Sequence, residues 1–213
     1  MRPSLFALVA FVTLSVSPVL AQSRASAHDG PTVSMGLGVG AGAAGIPVDC
    51  LDVATGGCPG AEFSRRNAPA GYVRIGGAIA PRLVLAGEMN AWSRREHTPV
   101  SERLTVATLN AVLQWYPRTS SGFFLSGGLG YGRWQWNTDF VLNTPGGGQI
   151  HQSVELHTNG LGYQAGLGYD VRLAHGFSLT PYATVFGGAN GNGEETASIG
   201  SNVLQGGIGL TWH

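Results

Sequence analysis

Along most of the chain, apolar residues recur at every second position, the period of a strand with one apolar face. The clearest stretch runs from Gly160 to Leu173. Leu161, Tyr163, Ala165, Leu167, Tyr169, Val171 and Leu173 share one parity, and Gly160, Gly162, Gln164, Gly166, Gly168, Asp170 and Arg172 share the other. The same division recurs over residues 33–42, 72–79, 83–91, 105–115, 123–132, 177–185 and 204–212, so the pattern predicts eight strands. Their connections alternate in length. Pro81-Arg82, Pro117 to Ser121 and Ala174 to Gly176 read as tight turns, whereas Ala44 to Pro69, Arg94 to Ser101, Thr138 to Leu156 and Gly188 to Thr196 read as long polar or Gly-rich loops.

An even number of strands, with short turns on one rim and long loops on the other, predicts an all-β fold: an eight-stranded antiparallel up-and-down transmembrane β-barrel over residues 32–213. The apolar parity then faces lipid, and the closed sheet satisfies every backbone group internally. The polar parity faces a lumen just wide enough for side chains, where Gly36, Gly38, Gly40 and Gly42 would relieve crowding. Aromatic placement agrees with this topology. Trp115, Phe123, Phe177 and Trp212 lie on the apolar parity beside the short turns or the last residue, as an interfacial girdle would. Tyr131 and Tyr163 are candidates for the outer girdle on the same face.

The first residues change the picture by adding an address. Arg2, the apolar run Leu5 to Val16, and Pro18-Val19-Leu20-Ala21 have the order of a secretory signal, with removal expected after Ala21 and Ala25-Ser26-Ala27 as a second candidate. That run is well short of the roughly 20 residues a membrane-spanning helix needs. The expected organisation is a signal over 1–21, a short segment over 22–31 and the barrel beyond, placed in the bacterial outer membrane after export. Composition fits: 34 Gly alternate with apolar residues, only 11% of residues are charged, and all 12 basic residues are Arg. Losing Arg2 leaves 11 basic against 12 acidic residues, a charge of −1 that offers no strongly basic face for nucleic acid. Cys50 and Cys58 are close enough in sequence, in an oxidising compartment, to be expected as one disulfide.

With Gly127-Gly128-Leu129-Gly130-Tyr131-Gly132, Ala165-Gly166-Leu167-Gly168-Tyr169 and Gly206-Gly207-Ile208-Gly209-Leu210, the chain resembles the small outer-membrane barrels of the OmpA transmembrane-domain and OmpX type. The resemblance covers about residues 32–213. It implies outer-membrane lipid and lipopolysaccharide as surroundings, and recognition of the final strand by the barrel-assembly machinery. Family barrels usually end on an aromatic; here Trp212 is penultimate and His213 follows. No peptidoglycan-binding domain follows the last strand in this sequence, so the wall tethering of larger relatives is not implied.

Candidate chemistry is sparse. Arg74, Glu88, Asp170 and Arg172 share the polar parity and are expected to pair across the lumen, since isolated charges there would be costly. His151, Ser153, Glu155 and His157 would line one face of a strand, and lipid A deacylases resemble this architecture and carry a His-x-Ser pair with a downstream Glu. The family's spacing to the acid is absent, and a loop rim is the better reading. Trp134 and Trp136 are expected beyond the membrane span, capping the barrel mouth, and Arg94-Arg95 in the second loop as exposed charge able to meet lipid phosphates. No cofactor, metal site or enzymatic activity is expected. The leading expectation is an outer-membrane barrel with a structural, surface-interaction or minor permeation role. The alternative is a soluble lipocalin-like barrel binding a small apolar ligand, with the apolar parity turned inward. A lipid A-modifying enzyme ranks third.

Overall fold

The computed structural model describes residues 30–46, 61–62, 65–97, 101–143, 149–174, 176–189 and 200–213. The proposed signal, Cys50 and Cys58 lie outside the described residues. The strands are β1 (Pro31–Ile46), β2 (Ala61–Glu62), β3 (Arg66–Ala80), β4 (Leu83–His97) and β5 (Ser101–Trp115), followed by β6 (Phe123–Asn143), β7 (Gln149–Tyr169), β8 (Val171–Ala174), β9 (Phe177–Ala189) and β10 (Gly200–Trp212). Each long strand pairs antiparallel with its neighbour in the chain, and β1 pairs with β10 from Val33↔Trp212 to Ala44↔Ser201. That last ladder closes a barrel of eight staves, β7 and β8 forming one interrupted stave. β2 only pairs with the outer end of β1.

The barrel is inside-out relative to a soluble protein. Leu37 is 80% exposed, while Val106 and Phe186, on the opposite parity, are fully buried. Met35, Ile75, Met89, Leu109, Leu129 and Ile208 also face outward, so an apolar belt encircles the wall. A ligand-binding barrel of the lipocalin kind needs the reverse, and this orientation overturns that alternative. Among the described residues no helix is long and apolar enough to cross a membrane; the crossing is made by strands.

The strands run further than their hydrophobic alternation. Pairing of β4 with β5 continues through Arg95↔Arg103 to His97↔Ser101, and β6 pairs with β7 as far as Asn143↔Gln149. Most of the expected second and third loops, Arg94 to Ser101 and Thr138 to Leu156, is therefore ladder. The periodic signal fades there because the outward face leaves lipid and becomes polar. On β6 and β7 the outward positions pass from Tyr131 and Leu161 to Arg133, Gln135, Asn137, Glu155, His157 and Asn159. β6 and β7 are 21 residues each. A tilted strand crosses the bilayer in about 9–11, so this hairpin stands roughly 30 Å clear of the belt, measured along its strands.

One predicted strand is interrupted. β7 stops at Tyr169 because Asp170 turns its backbone away, its N–H donating to the Gly122 carbonyl at 2.9 Å. A side chain at Gly122 would overlap the Asp170 carbonyl. β8 then resumes against β9 in the register that β7 left, which shifts only between Arg172 and Ala174, and the turn into β9 uses Gly176 at φ 82°, a left-handed conformation suited to glycine.

Candidate functional site

Three layers of side chains fill the lumen, and each follows from the inward parity of named strands. The outermost layer is apolar. Trp92 of β4, Trp134 of β6, Phe186 of β9 and Val203 of β10 pack with Ala68, Ala70, Leu104 and Val106, and Trp136 lies against them. Glycines make this possible: a methyl at Gly42 would meet the Trp92 ring, and one at Gly188 would meet Trp134. Both indoles are anchored, Trp92 Nε1 donating to the Gly40 carbonyl at 2.8 Å and Trp134 Nε1 to Ser201 Oγ. Trp134 and Trp136 alternate with the polar outward positions Arg133, Gln135 and Asn137, above the belt, and turn inward to fill the outer end of the barrel.

The middle layer is polar. Arg74 and Glu88 face each other in the β3–β4 register and form a buried ion pair. Asn90 Nδ2 donates to Glu88 Oε1 at 2.9 Å and to Gln164 Oε1 at 2.6 Å, and Gln205 Nε2 donates to Asn90 Oδ1 at 3.0 Å. The inner layer surrounds Asp170, which accepts from Tyr116 Oη at 2.9 Å and from Thr180 Oγ1 at 2.6 Å. Thr180, Thr211, Ser34 and Tyr72 continue this chain of hydroxyls. The Arg74 guanidinium also lies over the Tyr72 ring, 5.0 Å from its centroid, and near Phe124.

Of the four expected lumen charges, the structure brings Arg74 and Glu88 together, buries Asp170 among hydroxyls, and leaves Arg172 exposed. Arg172 keeps the inward parity, opposite Ser178, and is exposed because it lies at the short-turn end of the barrel. Between Arg74, Gln114, Asp170 and His213 remains a cavity of ≈ 10 Å³, at the lower limit for a single water. Burial pushes the His213 imidazole below its usual range; Asp170 opposes that shift and Arg172 adds to it.

The apolar inward residues Trp92, Leu104, Phe186 and Val203 were absent from the sequence expectation, which treated that parity as polar. The available signal was the bulk of Trp92 and Trp134 set among inward glycines.

Trp115, Phe123, Tyr131, Phe177 and Trp212 all point outward and are exposed, and Tyr163 is half-buried on the same parity. Phe177 and Trp212 stack at 6.3 Å with rings 10° apart. At the outer rim, Arg94 and Arg95 lie in β4, not in a loop. They face opposite ways, Arg94 buried inward and Arg95 exposed outward. His151, Ser153, Glu155 and His157 lie in β7; Ser153, Glu155 and His157 are exposed, and Glu155 Oε1 accepts from Gln135 Nε2 at 2.7 Å. Among the described residues no group of three or more His, Cys, Asp or Glu is placed to hold a metal.

A closed barrel with an outward apolar belt and a filled lumen defines an integral outer-membrane-type β-barrel, and this is a bacterial outer-membrane protein. Residues 99–188 match the model of the autotransporter beta-domain. No curated protein matches the chain in sequence. Among solved structures, Ail, the attachment invasion locus protein of Yersinia pestis, is similar at a TM-score of 0.54 and 12% identity, over 85% of this chain and 99% of that one. A second Ail structure gives 0.52 and 13%, over 86% and 99%. Neisserial surface protein A follows at 0.49 and 12%, over 86% and 99%. The chain has the fold of the small eight-stranded outer-membrane barrels.

Proposed function

We propose that the protein is a sealed outer-membrane anchor that presents its outer strands and the tall β6–β7 hairpin at the cell surface. It acts by contact and not by letting solutes through. The observation that carries this reading is the lumen, where the Trp92–Trp134–Phe186 layer sits above the Arg74–Glu88 network. A diffusing solute would have to displace both an anchored apolar layer and a buried ion pair. The polar outward face of the hairpin supports a surface role, because it reaches well past the apolar belt. We also propose no catalytic role for the His151, Ser153, Glu155 and His157 face. The Glu155 carboxylate is engaged by Gln135, the cross-strand partner of His157.

Planar-bilayer recording tests the reading. The purified barrel should show no discrete conductance, whereas Trp92→Ala with Trp134→Ala, which empties the outer layer, should raise current events above background. Steady channel openings by the unaltered protein would overturn the sealed anchor and make the lumen a permeation path.

A further inference from the structure

We propose that the outward wall from β10 and β1 across β3 and β4 to β5 seats one phosphorylated, acylated lipid of the outer leaflet, of the lipid A type, with an acyl chain in the groove low on the wall and a phosphate on Arg95 and Arg103. This deepens the surface-contact reading above and rests on it. The lower half of the seat is an apolar groove of ≈ 520 Å³ that runs from Ile208 of β10 across Leu37 of β1 and Gly71 and Val73 of β3 to Met89 and Ala91 of β4. Gly71 and Ala91 keep it shallowly open where larger side chains would close the wall. The upper half is a second groove of ≈ 460 Å³, which Asn67, Pro69, Ser93, Arg95 and Arg103 help to line.

The two halves are continuous. Pro69 is the next outward position above Gly71 on β3, and Ser93 the next above Ala91 on β4. The wall changes from apolar to polar between Ala91 and Ser93. Arg95 is one outward step higher, roughly 7 Å further along the strand, in the zone where headgroup phosphates lie outside the hydrocarbon core.

Charge selects the occupant. Arg95 and Arg103 are direct cross-strand partners on the same outward face, and both are exposed. Like charges directly opposite destabilise a sheet, and a phosphate bridging two guanidinium groups reverses the sign of that interaction. Arg133, outward on β6 and opposite Ala107, adds a third cation at the boundary. The outward acids on this side are Asp139 of β6, opposite Ser101 and diagonal to Arg103, and Glu155 of β7, beyond β6 and held by Gln135, so the cations outnumber them at the boundary. A second copy of the chain fits less well, because a two-fold contact through this patch would bring its own arginines face to face. A soluble sulfated glycan would use the cations but not the groove beneath them.

Native mass spectrometry of the full chain in detergent, with added bis-phosphorylated lipid A, tests this. One lipid should be retained per barrel. Occupancy should fall about tenfold or more for Arg95→Gln with Arg103→Gln, as losing charge-assisted hydrogen bonds predicts. It should fall comparably when dephosphorylated lipid A replaces the phosphorylated form, which puts the same question to the unaltered protein. Ala91→Phe, which fills the groove, should also weaken retention. Equal retention of the dephosphorylated lipid would overturn the proposal, as would an unaffected double variant. So would a heparin fragment that displaces the lipid yet is indifferent to Ala91→Phe, or a dimer in place of the lipid adduct. Bilayer conductance on the same preparation reports separately on the sealed-anchor reading, so either idea can fail alone.

Discussion

Glu88 shows how much depends on one side chain in a filled barrel. It is 1% exposed, faces Arg74 and receives Asn90. Removing it would strand a buried guanidinium, and breaking a buried pair by deleting one partner costs about 3–5 kcal/mol. Glu88→Ala should therefore lower the urea midpoint for loss of the folded gel band. Arg74→Met combined with Glu88→Leu should recover much of that loss, because exchanging both charges for apolar groups leaves neither unpaired. A single variant as stable as the parent would mean that the pair contributes little. Both residues were legible as lumen charges from parity alone. Arg172 keeps that parity, opposite the buried Ser178, yet is exposed because it lies at the end of its stave beside the turn into β9, where a parity count does not show that the lumen ends.

At the level of the strand, glycine and indole are partners. β9 brings Gly188 beneath Trp134, and a Cβ there would approach both the indole and the Leu161 carbonyl. The backbone cannot retreat without disturbing the β7–β9 ladder, where Gly162 pairs with Gly188. Gly188→Ala should cost about 1–3 kcal/mol, as overpacking does, and should be rescued in part by Trp134→Phe. A chevron or equilibrium unfolding series in lipid vesicles would measure it, and a neutral Gly188→Ala would show the layer to be loosely packed. The sequence displayed the glycines and the tryptophans but not their pairing, which depends on how β6, β7 and β9 are staggered around the barrel.

For the molecule as a whole, the closed ladder and outward belt make a single hydrogen-bonded ring that detergent does not readily open. Unboiled protein extracted from outer membranes should migrate differently from boiled protein, and should remain in the membrane fraction after a salt wash. Identical mobility, with release into the soluble fraction, would contradict an integral barrel. Topology, strand number and the facing of each parity were readable from the chain. The alternation of apolar and small or polar residues is imposed directly by lipid on one side and crowding on the other. Strand ends and contacts across the lumen were not. Above the belt the outward face meets water instead of lipid, so β4 to β7 extend without an apolar parity to mark them. The meetings of Trp92 with Gly40, Asn90 with Gln164 and Arg95 with Arg103 arise from register and closure. A local pattern determines which way a residue points. Only the closed sheet determines what it meets there.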